Sequence, residues 1–266
     1  MARIVLLIVG LLFVGCAVED RVVTSEERVA TLEALHVPTP TPTATPTPIP
    51  TPIPPIPDPV SWWPGDGNAD DIAGSNAGSL KGDPTFTSGK VGLAFSFDGG
   101  GEYVDMGDVL DVGITSFSIG LWYKRQIDVG GNRRVVSKGL TASGSPPDAG
   151  YAVTLDGGLL RVTVEDPNQN KVIVEVTEPA LGQYHHAATV VNRDTAVINL
   201  FLDGVMVASA DISNVGSLDT DQAFGIGASI ISGSPTGSFG GAIDEVQFYN
   251  RALSEDEVKS IFEAVP

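Results

Sequence analysis

The sequence predicts an all-β fold of two antiparallel sheets packed face to face, with one short helix at the C-terminus. Short runs with period-2 alternation follow one another from residue 60 onward, separated by Gly, Asp and Asn. A hydrophobic content of 42% with 31 Gly and 7% aromatic residues suits thin strands and tight turns. Alternating β and α segments are missing from the pattern, so the crossover helices of a parallel sheet are not expected.

The run SFSIGLWYKR illustrates the strand pattern. Phe117, Ile119 and Leu121 fall on one face of an extended chain, whereas Ser118 and Trp122 fall on the other. One apolar face and one more polar face are typical of a strand in a half-buried antiparallel sheet.

Turn and helix signals divide the remaining chain. Asp-Gly at 203–204 and Asp-Gly-Gly at 156–158 predict tight hairpins, because both sequences supply residues that accept positive φ. Near the C-terminus, Ser254 followed by Glu257 forms a capping-box pattern, and Val258 and Ile261 repeat at helical spacing. The sequence therefore predicts a short closing helix.

The first residues have the pattern of an export signal. A positive start at Arg3 is followed by the apolar run IVLLIVGLLFV, which is too short for the roughly 20 residues of a membrane-spanning helix. FVGC resembles the lipobox of bacterial lipoproteins, although Phe13 stands where Leu is usual. We predict a lipoprotein-type signal peptide over 1–15 and lipidation of Cys16. Ordinary signal cleavage nearby is the alternative.

Two segments separate this signal from the strand-rich region. Residues 16–37 form a short tether in which 24–37 carry a helical pattern without an identified packing partner. Residues 38–59 are a Pro/Thr-rich linker, which cannot build a core and favours polyproline II. At about 3.1 Å per residue, such a linker reaches roughly 70 Å.

Several strings resemble one known family when taken in order: WWPGDGNADDIAGSNAGSL, GKVGLAFSFDGGGEYVDMGD, SFSIGLWYKR, QYHHAATVVNR, NLFLDGVMVA and GGAIDEVQFYNRALSEDEV. Together they resemble the bacterial LamG-like jelly-roll domain of the concanavalin A-like lectin and glucanase superfamily, over residues 60–266. The resemblance implies a jelly-roll sandwich of roughly a dozen strands. It also implies an accessory module that binds glycans or proteins, although some branches of the superfamily are glycosidases.

Catalytic residues are not evident. Glucanases of the superfamily carry alternating Glu, Asp and Glu on one strand, but here Asp244 and Glu245 are adjacent and are predicted to point to opposite faces. The same argument separates His185 from His186. We therefore predict a non-catalytic module. A glycoside-active enzyme with an unrecognised carboxylate pair and a purely structural envelope protein remain the alternatives.

Oxygen-rich side chains crowd the loop GDGNADD at 65–71, which favours a calcium site. Relatives with this jelly roll often bind a structural calcium where the first strand meets the last. The matching positions give Asp66, Asp70 and Asp244 as predicted ligands. Asp and Asn are also common turn formers, which is the alternative interpretation.

The charge of the chain limits its partners. A net charge of −18 and a pI near 4.3 repel nucleic acids and anionic membranes. We predict a glycan or an extracellular protein as partner, membrane attachment through the lipid anchor alone, and a location at the bacterial cell envelope or surface. The sequence does not identify the ligand-binding residues, since Trp62, Trp63, Trp122 and Tyr151 fit either sugar stacking or core packing.

Overall fold

A computed structural model of the chain describes residues 58–126, 130–140 and 149–265. Outside these ranges lie the predicted signal peptide, the tether with Cys16, and the linker except for its last two residues. Among the described residues there are seventeen strands and one helix. Their bounds are β1 Ser61–Trp63, β2 Ser79–Lys81, β3 Thr85–Ser88, β4 Leu93–Asp98, β5 Tyr103–Asp105, β6 Phe117–Arg125, β7 Arg133–Gly139, β8 Gly150–Asp156, β9 Leu159–Glu165, β10 Lys171–Thr177, β11 His185–Asn192, β12 Val197–Leu202, β13 Val205–Asp211, β14 Phe224–Ile226, β15 Ser229–Ile231, β16 Ser234–Thr236, β17 Gly240–Tyr249 and α1 Glu255–Glu263.

Two large sheets form the body of the fold. The first has the order β13-β12-β11-β6-β17-β4-β3, and β1 pairs with β17 as its eighth strand. The second has the order β10-β9-β8-β7-β14-β5-β2, and β15 and β16 form a separate small ribbon. Neighbouring strands run antiparallel, as in the pairings of β6 with β11 and β8 with β9. The predicted antiparallel sandwich is confirmed.

The core lies between the inner faces of the two sheets. Phe248 of β17 occupies its centre, where its ring stacks on Phe117 at 5.6 Å between centroids and lies 6.1 Å from Tyr151. Trp63 stacks on Phe224 of the opposite sheet at 5.6 Å. The inward-facing set predicted for β6, namely Phe117, Ile119 and Leu121, is fully buried.

The predicted hairpins are present. Asp203 and Gly204 join β12 to β13 with φ of 49° and 77°, the left-handed conformation that a two-residue turn of this kind requires. Gly157 and Gly158 join β8 to β9 with φ of 59° and 79°.

The C-terminal helix covers part of the outer face of the first sheet. Ser254 caps it, and the predicted capping box with Glu257 is confirmed. Val258 and Ile261 pack against Val190 and Phe201 of the sheet, in a second apolar cluster on the far side from the main core. None of the helices in the described ranges is long and apolar enough to cross a membrane.

Candidate functional site

A β-bulge in β17 determines how the acidic side chains of this strand are arranged. Asp244 lies opposite Trp122 on β6, but the next paired residue is Gln247, opposite Gly120. Ile243 and Val246, on either side of the acidic pair, both pack in the main core. Asp244 and Glu245 therefore both leave the core on the outer side of the sheet. The prediction that they point to opposite faces is wrong, because the extra residue breaks the period-2 alternation.

Glu245 is the bulged residue and has a φ of 53°, which is uncommon for a residue with a side chain. Its Oε2 accepts a hydrogen bond of 2.6 Å from Nε1 of Trp62. Burial raises the pKa of Glu245 to about 7, and the neighbouring charge of Asp244 adds to the rise. Backbone strain together with a buried carboxyl group is a combination common at functional sites.

Asp244 has a different environment. Its side chain is fully buried, and its Oδ2 accepts hydrogen bonds from the backbone N–H groups of Lys90, at 2.6 Å, and Val91, at 3.0 Å. Its Oδ1 is buried without a hydrogen-bond partner. Burial raises the pKa of Asp244 to about 6, and the charge of Asp66 contributes to this rise.

A cavity of about 470 Å³ opens beside Glu245, on the outer face of the first sheet and against α1. We call it the Trp62 cavity. Its apolar wall includes Ile261 and Val265, and its polar and aromatic lining comprises Asp58, Trp62, Trp122, His186, Glu245 and Gln247.

The two indole rings of the Trp62 cavity differ in how far their faces are covered by other side chains. The Trp122 ring stacks on Phe262 at 5.5 Å, and Nζ of Lys90 lies 4.9 Å from its centroid. Trp62 is only partly buried and makes its one described polar side-chain contact with Glu245. Trp62 therefore provides the open ring of the cavity, whereas Trp63 and Tyr151 lie in the core.

His186 forms the inner wall beside Trp122 and Phe262, with ring centroids 5.3 and 6.1 Å away. It is 1% exposed, and burial lowers its pKa to about 4 against the weaker opposing effect of Asp203, so the ring is neutral at pH 7. His185 pairs in register with the core-facing Tyr123 rather than with Trp122, and its Nδ1 lies 2.9 Å from Oδ2 of Asp203. The two histidines thus take opposite faces, as predicted.

The structure distinguishes among the predicted calcium ligands. Asp66 acts electrostatically on Asp244, and its Oδ1 accepts a hydrogen bond from the N–H of Leu93. Asp70 is exposed, and its backbone N–H donates to Oδ1 of Asn68. In the part of the chain that the structure describes, His, Cys, Asp and Glu side chains do not gather in threes in a way that could hold a metal. The unpartnered Oδ1 of Asp244 nevertheless suits a cation ligand, and the calcium site stays a prediction.

Asp71, in the same loop, has a structural role. Its Oδ1 accepts hydrogen bonds from the N–H groups of Trp62, Ala73 and Gly74, and its Oδ2 accepts from that of Asn76. These bonds lower the pKa of Asp71 against the effect of burial. Asp71 thereby fixes the loop next to Trp62 and holds one wall of the cavity in place.

The family model Laminin_G_3, described as concanavalin A-like lectin/glucanases superfamily, matches residues 98–259. The chain belongs to this family. The match spans more than half of the chain, and it agrees with the two-sheet architecture and with the resemblance read from the sequence.

Similar proteins extend this comparison. The non-toxic nonhemagglutinin of Paraclostridium bifermentans is 24% identical over 196 residues, which is 73% of this chain but 16% of that protein. Domain 4 of AbnA, an extracellular arabinanase from Geobacillus stearothermophilus solved with arabinotriose, superposes with a TM-score of 0.61 at 17% identity, covering 77% of this chain and 98% of the domain. The ligand-binding domain of botulinum neurotoxin serotype D, solved with N-acetylneuraminic acid, gives 0.59 at 13% identity, covering 78% and 51%. At these identities the likeness shows the fold.

Sequence reasoning did not assign four polar residues to the cavity of this Laminin_G_3 domain: Asp58, His186, Glu245 and Gln247. Glu245 and Gln247 depend on the bulge, which has no local sequence signal. His186 could have been found, because strict alternation in HHAATVVN places it on the outer face with Trp122 once β11 is paired with β6.

Proposed function

We propose that this concanavalin A-like domain is a non-catalytic module that binds a saccharide in the Trp62 cavity. The main support is the cavity itself, a mostly apolar recess of about 470 Å³. In it the partly exposed indole of Trp62 lies next to the carboxyl group of Glu245 and the amide of Gln247. A sugar ring has an apolar face that suits an indole, and its hydroxyl groups suit Glu245 and Gln247. The sugar complexes of AbnA domain 4 and the serotype D domain support this ligand class.

The environment of the carboxyl groups supports binding rather than hydrolysis. Glycosidases generally need two carboxyl groups flanking the scissile bond. Asp244 is fully buried and holds two backbone N–H groups, so its position suits a structural role. Among the described residues that line the cavity, Asp58 is the one other acidic residue that could act as a catalytic partner of Glu245. Hydrolysis of a polysaccharide panel that is lost on Glu245→Gln would support the enzyme alternative instead.

Replacing Trp62 with alanine is expected to weaken saccharide binding by about 5-fold or more, taking the roughly 1–3 kcal/mol of a base stacked on an aromatic ring as the guide for a sugar on an indole. The measurement is a glycan array with the whole chain, followed by calorimetry on the best-bound glycan and on arabinotriose. Leu80→Ala, an exposed apolar position on β2 of the other sheet, is the matched control and should bind like the wild type. Unchanged binding by Trp62→Ala would place the ligand elsewhere. Binding of an extracellular protein but of no glycan would favour the other partner class.

We also propose a structural calcium held by Asp66 and Asp244, with Asp70 as the third predicted ligand. The support is the charge of Asp66 near Asp244 and the buried, unpartnered Oδ1 of Asp244. Such an ion would join the loop after β1 to the last strand.

Export and lipidation at Cys16 are part of the same proposal, in which the Pro/Thr-rich linker displays the domain at the cell surface. The support is the lipobox-like FVGC string and the linker composition. Intact mass of the mature protein from a bacterial host is expected to show a diacylated or triacylated N-terminal cysteine. An unmodified N-terminus beyond Cys16 would contradict the anchor.

A further inference from the structure

The charge of the Trp62 cavity restricts the class of saccharide that it can take. Among the described residues that line it, the acidic ones are Asp58 and Glu245, and none is Lys or Arg. Asp244, next to Glu245 in sequence, leaves the core on the same side of the sheet. An anionic sugar would find no basic side chain among these lining residues, and its charge would lie beside the Glu245 carboxyl group.

An ammonium group would meet favourable partners there. The Trp62 ring and the Glu245 carboxyl group are joined by the hydrogen bond from Nε1 to Oε2, so a cation beside the ring is also beside the carboxylate. Indoles are the best aromatic partners for cations, and charge-assisted hydrogen bonds are the strong ones. The protein already makes one such contact, because Nζ of Lys90 lies 4.9 Å from the ring centroid of Trp122, the neighbouring indole.

We propose that the Trp62 cavity selects saccharides that carry a protonated amine, with Glu245 as the residue that determines this specificity. The proposal rests on the proposed saccharide-binding function and narrows its ligand to amino sugars. In this proposal, the bulge in β17 turns the Glu245 side chain to the outer face of the sheet, where it can contact the ligand.

Calorimetry with three tetrasaccharides tests the proposal: β-1,4-linked glucosamine, its N-acetylated counterpart, and galacturonate. At pH 7 these probes are partly cationic, neutral and anionic, because the amines of a glucosamine oligomer titrate near neutral pH. The whole chain is used at pH 7, at physiological salt and with a chelator, so that the charge of the site comes from the protein alone. The glucosamine tetramer is expected to bind about 10-fold more tightly than the N-acetylated one, as for a charge-assisted contact in a partly enclosed site.

Two charge-matched variants complete the test. Glu245→Gln can still accept the Trp62 hydrogen bond, and it is expected to reduce the preference to below about 3-fold while the neutral oligomer still binds. Asp194→Asn removes the same charge from an exposed turn about 25 Å away, at the other end of β11, and should keep the full preference. A preference that survives Glu245→Gln would mean non-specific attraction to an acidic protein and would overturn the proposal.

Different results would contradict amino-sugar selectivity and saccharide binding itself. Equal or tighter binding of the neutral or anionic tetramer, lost on Trp62→Ala, would overturn the amino-sugar assignment and leave saccharide binding at this cavity intact. No binding by any tetramer would also overturn the assignment, and the glycan array would then decide the wider function.

Discussion

Replacing His186 with phenylalanine is expected to make the protein less sensitive to acid between pH 6.5 and pH 4. His186 is buried among the rings of Trp122 and Phe262, and burial lowers its pKa from 6.5 to about 4. The unfolded chain binds a proton at this residue below pH 6.5, whereas the folded chain does so only near pH 4. The stability that His186 contributes is therefore full above pH 6.5 and is lost as the pH falls through this window.

The expected size of this effect is large for a single side chain. A pKa lowered from 6.5 to about 4 corresponds to roughly 3 kcal/mol of unfolding free energy. Asp244 and Glu245 act in the opposite direction, because their raised pKa values of about 6 and 7 favour the folded state as the pH falls from 7 towards 4. Because both proteins contain Asp244 and Glu245, the difference in unfolding free energy between variant and wild type reports the contribution of His186 alone.

Urea unfolding at half-unit steps from pH 7.5 to pH 4 measures the effect. The free energy of unfolding of His186→Phe relative to the wild type should rise by about 3 kcal/mol across this range. His36→Gln removes a histidine of the predicted tether and is the control. A difference between His186→Phe and wild type that does not change with pH would show that His186 is protonated alike in both states.

Calcium is expected to raise the melting temperature of chelator-treated protein. An ion bound to the folded state alone stabilises it by about 2.7 kcal/mol at a concentration of 100 times its Kd. For a domain of about 200 residues this corresponds to roughly 5–10 °C. The physical reason is the removal of repulsion between Asp66 and Asp244 together with the pairing of the buried Oδ1 of Asp244.

Differential scanning calorimetry with calcium and with a chelator measures this shift, and Asp244→Asn is expected to abolish it. Asp194→Asn, exposed and distant, should keep it. Magnesium is a useful comparison because it accepts fewer protein ligands and a stricter geometry. Identical melting of the wild type in calcium and in chelator would rule out the structural ion.

Local patterns account for the part of the fold that the sequence predicts well. The hairpin at Asp203 and Gly204 follows from their tolerance of positive φ, and the helix start follows from the reciprocal hydrogen bonds of Ser254 and Glu257. The inward face of β6 follows from strict alternation. Each of these features is decided by residues a few positions apart, so one sequence is enough to find it.

The candidate site depends on long-range features. The Trp62 cavity combines β1, β6, β11, β17 and α1, which are brought together only by the sheet order. Period 2 gives the wrong face for one of Asp244 and Glu245, because the bulge in β17 is set by pairing with both β6 and β1. Alternation does predict the orientation of the adjacent tryptophans once one of them is placed. Trp63 lies in the core, so Trp62 points to the outer face of the sheet.

The position of Trp62 on β1 has a mechanical consequence. β1 is the first strand after the linker, and it pairs with β17 over only three residues, from Ser61 opposite Phe248 to Trp63 opposite Val246. A pull on a ligand stacked on Trp62 and a pull from the preceding chain therefore meet within a few residues on the same strand. We expect part of the load on a bound ligand to pass along this short stretch of β1, and the rest to enter β17 through Glu245 and Gln247.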